Sequence, residues 1–460
     1  MSELLAFLPD LLYSQGRFLA DTALLVRDGV VESIGPVPEG ARVERLTGRA
    51  LLPGLVNAHS HAFQRTIRGR TEWRESGHET DDFWTWREQM YRAAMSLTPD
   101  EVFAVSRMCF LEMALAGITT VGEFHYLHRT PEGKPYDDPN ELSHRVIAAA
   151  REVGLRIALL RVCYARSGFN KPPNPDQVRF IEPSAETYLK GLDQLRERYH
   201  NAESWAGMAP HSVRAVPRDW LVELQRHASQ HELPLHMHLS EQPKEIAECQ
   251  AEYTCRPVEL AHRLKLLGPR FTAVHAVHLD PQEKTLLAVS KSTICACPTT
   301  ERNLGDGIVD PSFTAVAVGT DSQVQIDPLE DVRELEYHLR LQKLERAVLA
   351  PRDGSADRSA LARWLFACAS VHGSRSLGAG PGTFEPNASA DFFCVDLADP
   401  SIAGASRSDL LAAIVFSMQR TALVDVAVRG NWVVRNGRHA RQEEIVREFA
   451  AVQKRLWGSA

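Results

Sequence analysis

The sequence has no Cys-x-x-Cys pair among its 8 cysteines, no uninterrupted apolar run of membrane-spanning length, no internal repeat and no low-complexity linker. Each absence removes a class of protein. Without paired cysteine spacing, and with enough chain to build a core of its own, a disulfide framework is not expected; reduced thiols in a cytoplasm are. Residues Met1 to Gln15 carry Asp10 and no basic cluster ahead of their apolar stretch, so a secretory signal is not expected, and neither is a membrane span. The formal net charge of -7 argues against nucleic acid and anionic membrane as partners. Any attraction for an anionic substrate must then be local.

What is present is a chain of 460 residues, 44% hydrophobic and 24% charged, as in soluble globular proteins. That length exceeds one ordinary core, yet an α/β barrel absorbs most of it as a single domain. From Leu51 onward, short apolar runs rich in β-branched residues alternate with longer amphipathic stretches, the pattern of repeated βα units. Strands are predicted at Leu51–Asn57, Thr119–Phe124, Arg156–Val162, Ala206–Pro210, Pro234–Leu239, Thr272–Val277, Thr293–Ala296 and Ala315–Gly319. The first clear helix opens at Thr98-Pro99-Asp100-Glu101, an N-cap with proline in the first turn and acids at the positive dipole end, and stops at Gly117. Others are predicted near Glu141–Val153, Ser184–Tyr199, Arg218–Gln230, Pro257–Leu267, Pro281–Val289, Pro328–Leu344 and Ser359–Leu377.

Eight strands each followed by a helix give a (β/α)8 TIM-like barrel over residues 51–379. The ends differ: Ala23–Val26, Val30–Ile34, Ala390–Asp396 and Val424–Val434 are short strand-like pieces punctuated by glycine. Residues 1–50 and 380–460 are therefore expected to pair into one small β-sandwich-like domain built from both termini.

His59-Ser60-His61 follows the first predicted strand, and alternate strand residues point to one side, so both imidazoles can reach one metal at a barrel mouth. Read alone, the pair fits two unrelated loop histidines equally well. Further along, His236-Met237-His238-Leu239-Ser240-Glu241 ends the fifth strand, His275-Ala276-Val277-His278 the sixth and Gly319-Thr320-Asp321 the eighth. Histidines and carboxylates at the C-terminal ends of several strands are what a barrel active site requires. For His236 and His278 the reading is barrel interior or a supporting role. Cys295 and Cys297 read as small core residues without chemistry.

The run Leu52-Pro53-Gly54-Leu55-Val56-Asn57-Ala58-His59-Ser60-His61 resembles the opening signature of the amidohydrolase superfamily, and His238-x-x-Glu241, His275 and Asp321 resemble its deaminase-like branch. The resemblance implies a mononuclear site with His59, His61, His238 and Asp321 as ligands to one divalent metal, zinc being the expected ion. The fourth strand ends in Ala209-Pro210-His211, without the bridging lysine of two-metal members. Two further stretches, Cys297-Pro298-Thr299-Thr300-Glu301-Arg302-Asn303-Leu304-Gly305-Asp306-Gly307 and Asp82-Phe83-Trp84-Thr85-Trp86-Arg87, together with His61-Ala62-Phe63-Gln64-Arg65, resemble the formimidoylglutamate deiminases of histidine degradation.

That narrower resemblance implies a small dicarboxylate substrate and a homodimer. Two carboxylates call for charge-assisted donors, which makes Arg87 and Arg214 clamp candidates, with Gln64 and Tyr126 as neutral donors. Read without the resemblance, each arginine is as well a solvated surface charge. His211 is implied to bind substrate beside the metal, a structural histidine being the alternative. The catalytic set is Asp321 as ligand and proton acceptor, Glu241 as proton donor and His275 as the group that polarises the attacking water. The competing functions are deamination of a purine or related ring on the same metal frame, and a non-catalytic barrel scaffold.

Overall fold

The computed structural model describes residues 3–73, 83–352 and 357–458. The N-terminal region forms β1 (Leu5–Ser14), β2 (Arg17–Leu19), β3 (Ala23–Arg27), β4 (Val30–Gly35) and β5 (Arg42–Pro53). The last of these is the twelve-residue strand that delivers the chain to the barrel. Leu51, Leu52 and Pro53, expected at the start of the first barrel strand, instead pair with Cys394, Phe393 and Phe392. The reason is burial on both sides: an apolar run is satisfied in either sheet, so hydrophobicity could not say where one strand ended.

The barrel strands are β6 (Leu55–Ser60), β7 (Ile118–His125), β8 (Arg156–Cys163), β9 (Ser204–Pro210), β10 (Leu235–Leu239), β11 (Phe271–His275), β12 (Thr293–Ala296) and β13 (Val316–Val318). All neighbours pair in parallel, in sequence order. A parallel bridge between Ser60 and Asp321 closes the ring. These strands are covered on both faces, and every residue of β7 and β8 is buried.

Strand β11 ends two residues earlier than expected because His275 and Ala276 take left-handed backbone (φ 68° and 54°), which cannot continue a strand. Among the helices, α1 (Phe83–Ser96) is one the sequence left unassigned, while α2 (Pro99–Leu115) carries the expected cap as a full capping box between Thr98 and Glu101. The helices at Pro243–Tyr253 and Pro298–Leu304 were also unforeseen. The stretch expected as one helix at Ser359–Leu377 is broken by a π turn at Cys368–His372.

The C-terminal strands β14 (Phe392–Asp396), β15 (Leu423–Val428), β16 (Asn431–Arg435) and β17 (Arg438–His439) join the N-terminal ones in one nine-stranded sheet, with β14 against β5 as the seam. The final helix, Gln442–Trp457, reaches back to the barrel, where buried Arg107 of α2 pairs with Glu444 (3.0 Å) and Glu448 (2.7 Å). Among the described residues no helix is long and apolar enough to cross a membrane.

Candidate metal and active site

Three of the barrel strands supply the four residues of the cluster at their C-terminal ends. His59 is in β6 and His61 follows it, His238 is in β10, and Asp321 lies just past β13. The ligand-type atoms of these four buried side chains all lie within 4.8 Å of one another. His59 Nε2 is 3.2 Å from His61 Nε2, and the two are 3.4 and 3.3 Å from Asp321 Oδ1. The approach of β13 to β6 depends on Gly319, where a Cβ would sit 2.7 Å from His59 Cβ and 2.8 Å from its carbonyl oxygen. Two backbone bonds then fix the register, Asp321 N–H to the His59 carbonyl (3.0 Å) and His61 N–H to that of Asp321 (3.1 Å).

The donor set fits a divalent ion. His61 Nδ1 donates to the Phe124 carbonyl (2.9 Å) and His238 Nδ1 to that of His211 (3.1 Å), which leaves each Nε2 lone pair facing the cluster. Burial holds the His59 imidazole neutral, its pKa down at about 3, with the Asp321 carboxylate opposing the shift. Burial likewise keeps His61 and His238 below the ordinary imidazole range. It pushes the Asp321 carboxyl upward, but His59, His275 and His61 outweigh it and keep the group ionised. Three neutral imidazoles and one carboxylate suit zinc-type coordination.

His275 Nε2 lies 3.6 Å from Glu241 Oε1 and 3.8 Å from Asp321 Oδ2. Burial disfavours its charged form, yet Glu241, Glu301 and Asp321 together raise its pKa well above the ordinary value. Arg214, 3% exposed, holds Nη2 3.7 Å from Glu241 Oε2, while its Nε and Nη1 find no hydrogen-bond partner among the described residues. Arg87 sits on α1 and is steered by the hydroxyls of Tyr91 and Tyr164, the latter at 3.2 Å. Gln64 lies in the helical turn after His61 and donates to the Tyr126 hydroxyl (2.9 Å), its Oε1 finding no hydrogen-bond partner among the described residues.

One chamber thus collects His61, His238, Asp321, Glu241, His275, Gln64, Arg87, Tyr126, His211 and Arg214, with His59 behind them. Trp84, Thr85 and Trp86 follow Phe83 on α1, whereas Asp82 lies outside the described residues. His236 bonds the Ser376 carbonyl (2.9 Å), and Cys295 and Cys297 are core residues.

Several contributors escaped the sequence reading. Glu301 Oε1 lies 3.3 Å from His275 Nδ1 and accepts from the Cys297 N–H (2.8 Å); it was visible only as part of a family-like run. Glu245 accepts from the N–H groups of Ser240 (3.1 Å) and Glu241 (3.2 Å), and burial raises its pKa to about 7 against the pull of Arg214. Tyr91, four residues after Arg87 on one helix, was available from spacing. Tyr164 and Gln177, which donates to both tyrosine hydroxyls (2.6 and 3.0 Å), were not.

Residues 50–433 match the profile of the amidohydrolase family. The chain is 39% identical, over 92% of its length and 93% of the relative's, to a formimidoylglutamate deiminase of Pseudomonas aeruginosa. It is 29% identical to a 5-methylthioadenosine/S-adenosylhomocysteine deaminase of Nitratidesulfovibrio vulgaris, over 83% and 81% of the two chains. Its structure superposes on an amidohydrolase from Brucella melitensis with a TM-score of 0.86, 31% identity and 99% of each chain covered. With this profile, these relatives and a metal-ligand set at the mouth of a parallel barrel, the chain belongs to the amidohydrolase family.

Proposed function

We propose that the chain is a metal-dependent formimidoylglutamate deiminase, which hydrolyses N-formimino-L-glutamate to N-formyl-L-glutamate and ammonia. Arg214 carries this reading: almost fully buried beside the metal cluster, its guanidinium lies 3.7 Å from Glu241 and 3.9 Å from Glu245, too far for hydrogen bonds, so that its Nε and Nη1 donors, without a partner among the described residues, suit a substrate carboxylate. Arg87 adds a second cation to the same chamber. A substrate with two carboxylates satisfies both.

A divalent ion in such a set supplies Lewis acidity and makes a coordinated water acidic enough to act as nucleophile near neutral pH. Asp321, kept ionised by its histidine neighbours, accepts the proton of the attacking water. Glu241, in the same chamber as Asp321 and His275, gives its proton to the imine nitrogen; the carboxylate so formed takes the hydroxyl proton of the tetrahedral centre and passes it to the departing ammonia, and the proton left on Asp321 returns Glu241 to its acid form. His275 donates toward the attacking oxygen and stabilises charge around the tetrahedral carbon. Water's oxygen forms the new carbonyl as the carbon–nitrogen bond to the leaving ammonia breaks.

Ring deamination is the weaker reading. Phe83, Trp86, Tyr91, Tyr126, Tyr164 and Phe180 do line the chamber, and of these Tyr91, Tyr164 and Phe180 were not named from the sequence. Two of those tyrosines, however, hold Arg87, and a neutral ring leaves the Arg214 donors bare. The proposal takes one zinc ion per subunit, a homodimer, and a place in histidine degradation in the cytoplasm, with neither nucleic acid nor membrane as partner.

Ammonia release from N-formimino-L-glutamate, N-formimino-L-aspartate and guanine tests it. The first should be turned over fastest, and turnover of guanine alone would overturn the assignment. Arg214→Ala should lower kcat/KM for the glutamate derivative about 30- to 1000-fold, as expected when one partner of a buried charge pair is removed.

A further inference from the structure

Behind the ligand loop lies an acid that the reaction does not use. Glu123, on β7, is 1% exposed and has no ion pair among the described residues. Both its oxygens are directed at the loop between and after the ligands: Ser60 Oγ donates to Oε2 (2.6 Å) and the Ala62 N–H to Oε1 (2.7 Å). Ser60 in turn accepts from Gln323 Nε2 (2.9 Å), which also donates to the Asp321 carbonyl (2.8 Å). Gln323 Oε1 accepts from Thr320 Oγ1 (2.9 Å), whose oxygen accepts from Asn57 Nδ2 (2.7 Å). This belt joins the ends of β6, β7 and β13 where the barrel closes, and three of the four ligands hang from it.

We propose that Glu123 is a positioning residue for the metal: through Ser60 and the Ala62 N–H it holds the His59-Ser60-His61 loop in the geometry that binds the ion. The inference rests on the reading of His59, His61, His238 and Asp321 as the ligand set. A buried carboxylate without a cationic neighbour is costly to a fold, so its presence calls for a positive charge nearby, and a divalent ion across the loop supplies one. Burial pushing the Glu123 pKa up to about 8 in the metal-free chain agrees with that cost. Glutamine at this position keeps the shape but presents an amide NH2 to a partner that needs an acceptor.

The test compares parent, Glu123→Gln and Ser60→Ala for Zn²⁺ and Co²⁺ affinity by chelator competition, for the visible spectrum of the Co²⁺ form, and for melting of the metal-free protein. Glu123→Gln should weaken metal binding about 10- to 100-fold and shift the Co²⁺ bands, with Ser60→Ala smaller in the same direction. Melting of the metal-free Glu123→Gln protein should stay level, because burial favours the neutral acid there and glutamine keeps that acid's one donor and one acceptor. Affinities within about 2-fold of the parent in both variants would overturn the proposal, since loss of such a partner costs more than that. So would a loss of affinity matched by an equal loss of metal-free stability. A parent that binds metal but releases no ammonia from N-formimino-L-glutamate would end the substrate assignment and leave these constants standing.

Discussion

In the sheet built by the two chain ends, Phe7, Phe392 and Trp432 meet edge to face at 4.9 to 5.5 Å, and all three contacts are apolar. At the barrel mouth, buried groups face one another across 3.2 to 3.8 Å as imidazoles, carboxylates and a guanidinium. The first region gains stability mainly from removing carbon from water, and its one ring N–H, on Trp432, already donates to Glu44 (3.0 Å). The second holds polar atoms that the protein alone leaves short of partners, which is an arrangement a fold tolerates only where a ligand completes it. Removing side chains from the two should therefore separate function from stability.

The largest effect belongs to the mouth. Glu241→Gln should lower turnover by about 10²- to 10⁴-fold, the usual contribution of a general acid, while metal content and melting temperature stay near those of the parent. Metal analysis beside steady-state kinetics checks this; unchanged turnover would remove Glu241 from the mechanism. Phe392→Ala should do the reverse. A fully buried ring in the terminal sheet is lost, which costs about 3–5 kcal/mol in denaturant unfolding, with kcat of the folded fraction preserved. A loss of kcat without a loss of stability would show that the two regions are not separable.

The smallest effect sharpens the contrast within one strand. His236 and His238 are two residues apart on β10 and share a face, yet among the described residues the hydrogen bond of His236 goes to the Ser376 carbonyl and not to the cluster. Burial keeps its pKa at about 4, below the ordinary 6.5, so the unfolded chain binds the extra proton between those values. Its contribution to stability is complete above about pH 6.5 and is lost as the pH falls through 6.5 toward 4. The metal-free His236→Gln protein should show a shallower decline of melting temperature between pH 6.5 and 4.5 than the metal-free parent, and the same slope would remove His236 as a source of that decline.

Much of the barrel was readable because each unit follows local rules: the proline-led caps at Thr98 and Asp280 begin helices where expected, and β12 has the expected bounds. The helices α1 and Pro298–Leu304 were not, since one is short of clear periodicity and the other is a seven-residue element fixed by its surroundings.

By itself the sequence determined the chemistry on offer and its order along the chain: His59 and His61 at one strand end, His238 and Glu241 at another, Asp321 at the last, spaced by βα units that a parallel barrel must bring to one face. Only the tertiary structure decided which groups meet. Glu301 reaches His275, Gln177 reaches Tyr91 and Tyr164, and Glu123 grips the ligand loop through contacts spanning 13 to 86 residues. Such pairings are set by barrel closure and side-chain packing, and no local pattern in the chain encodes them.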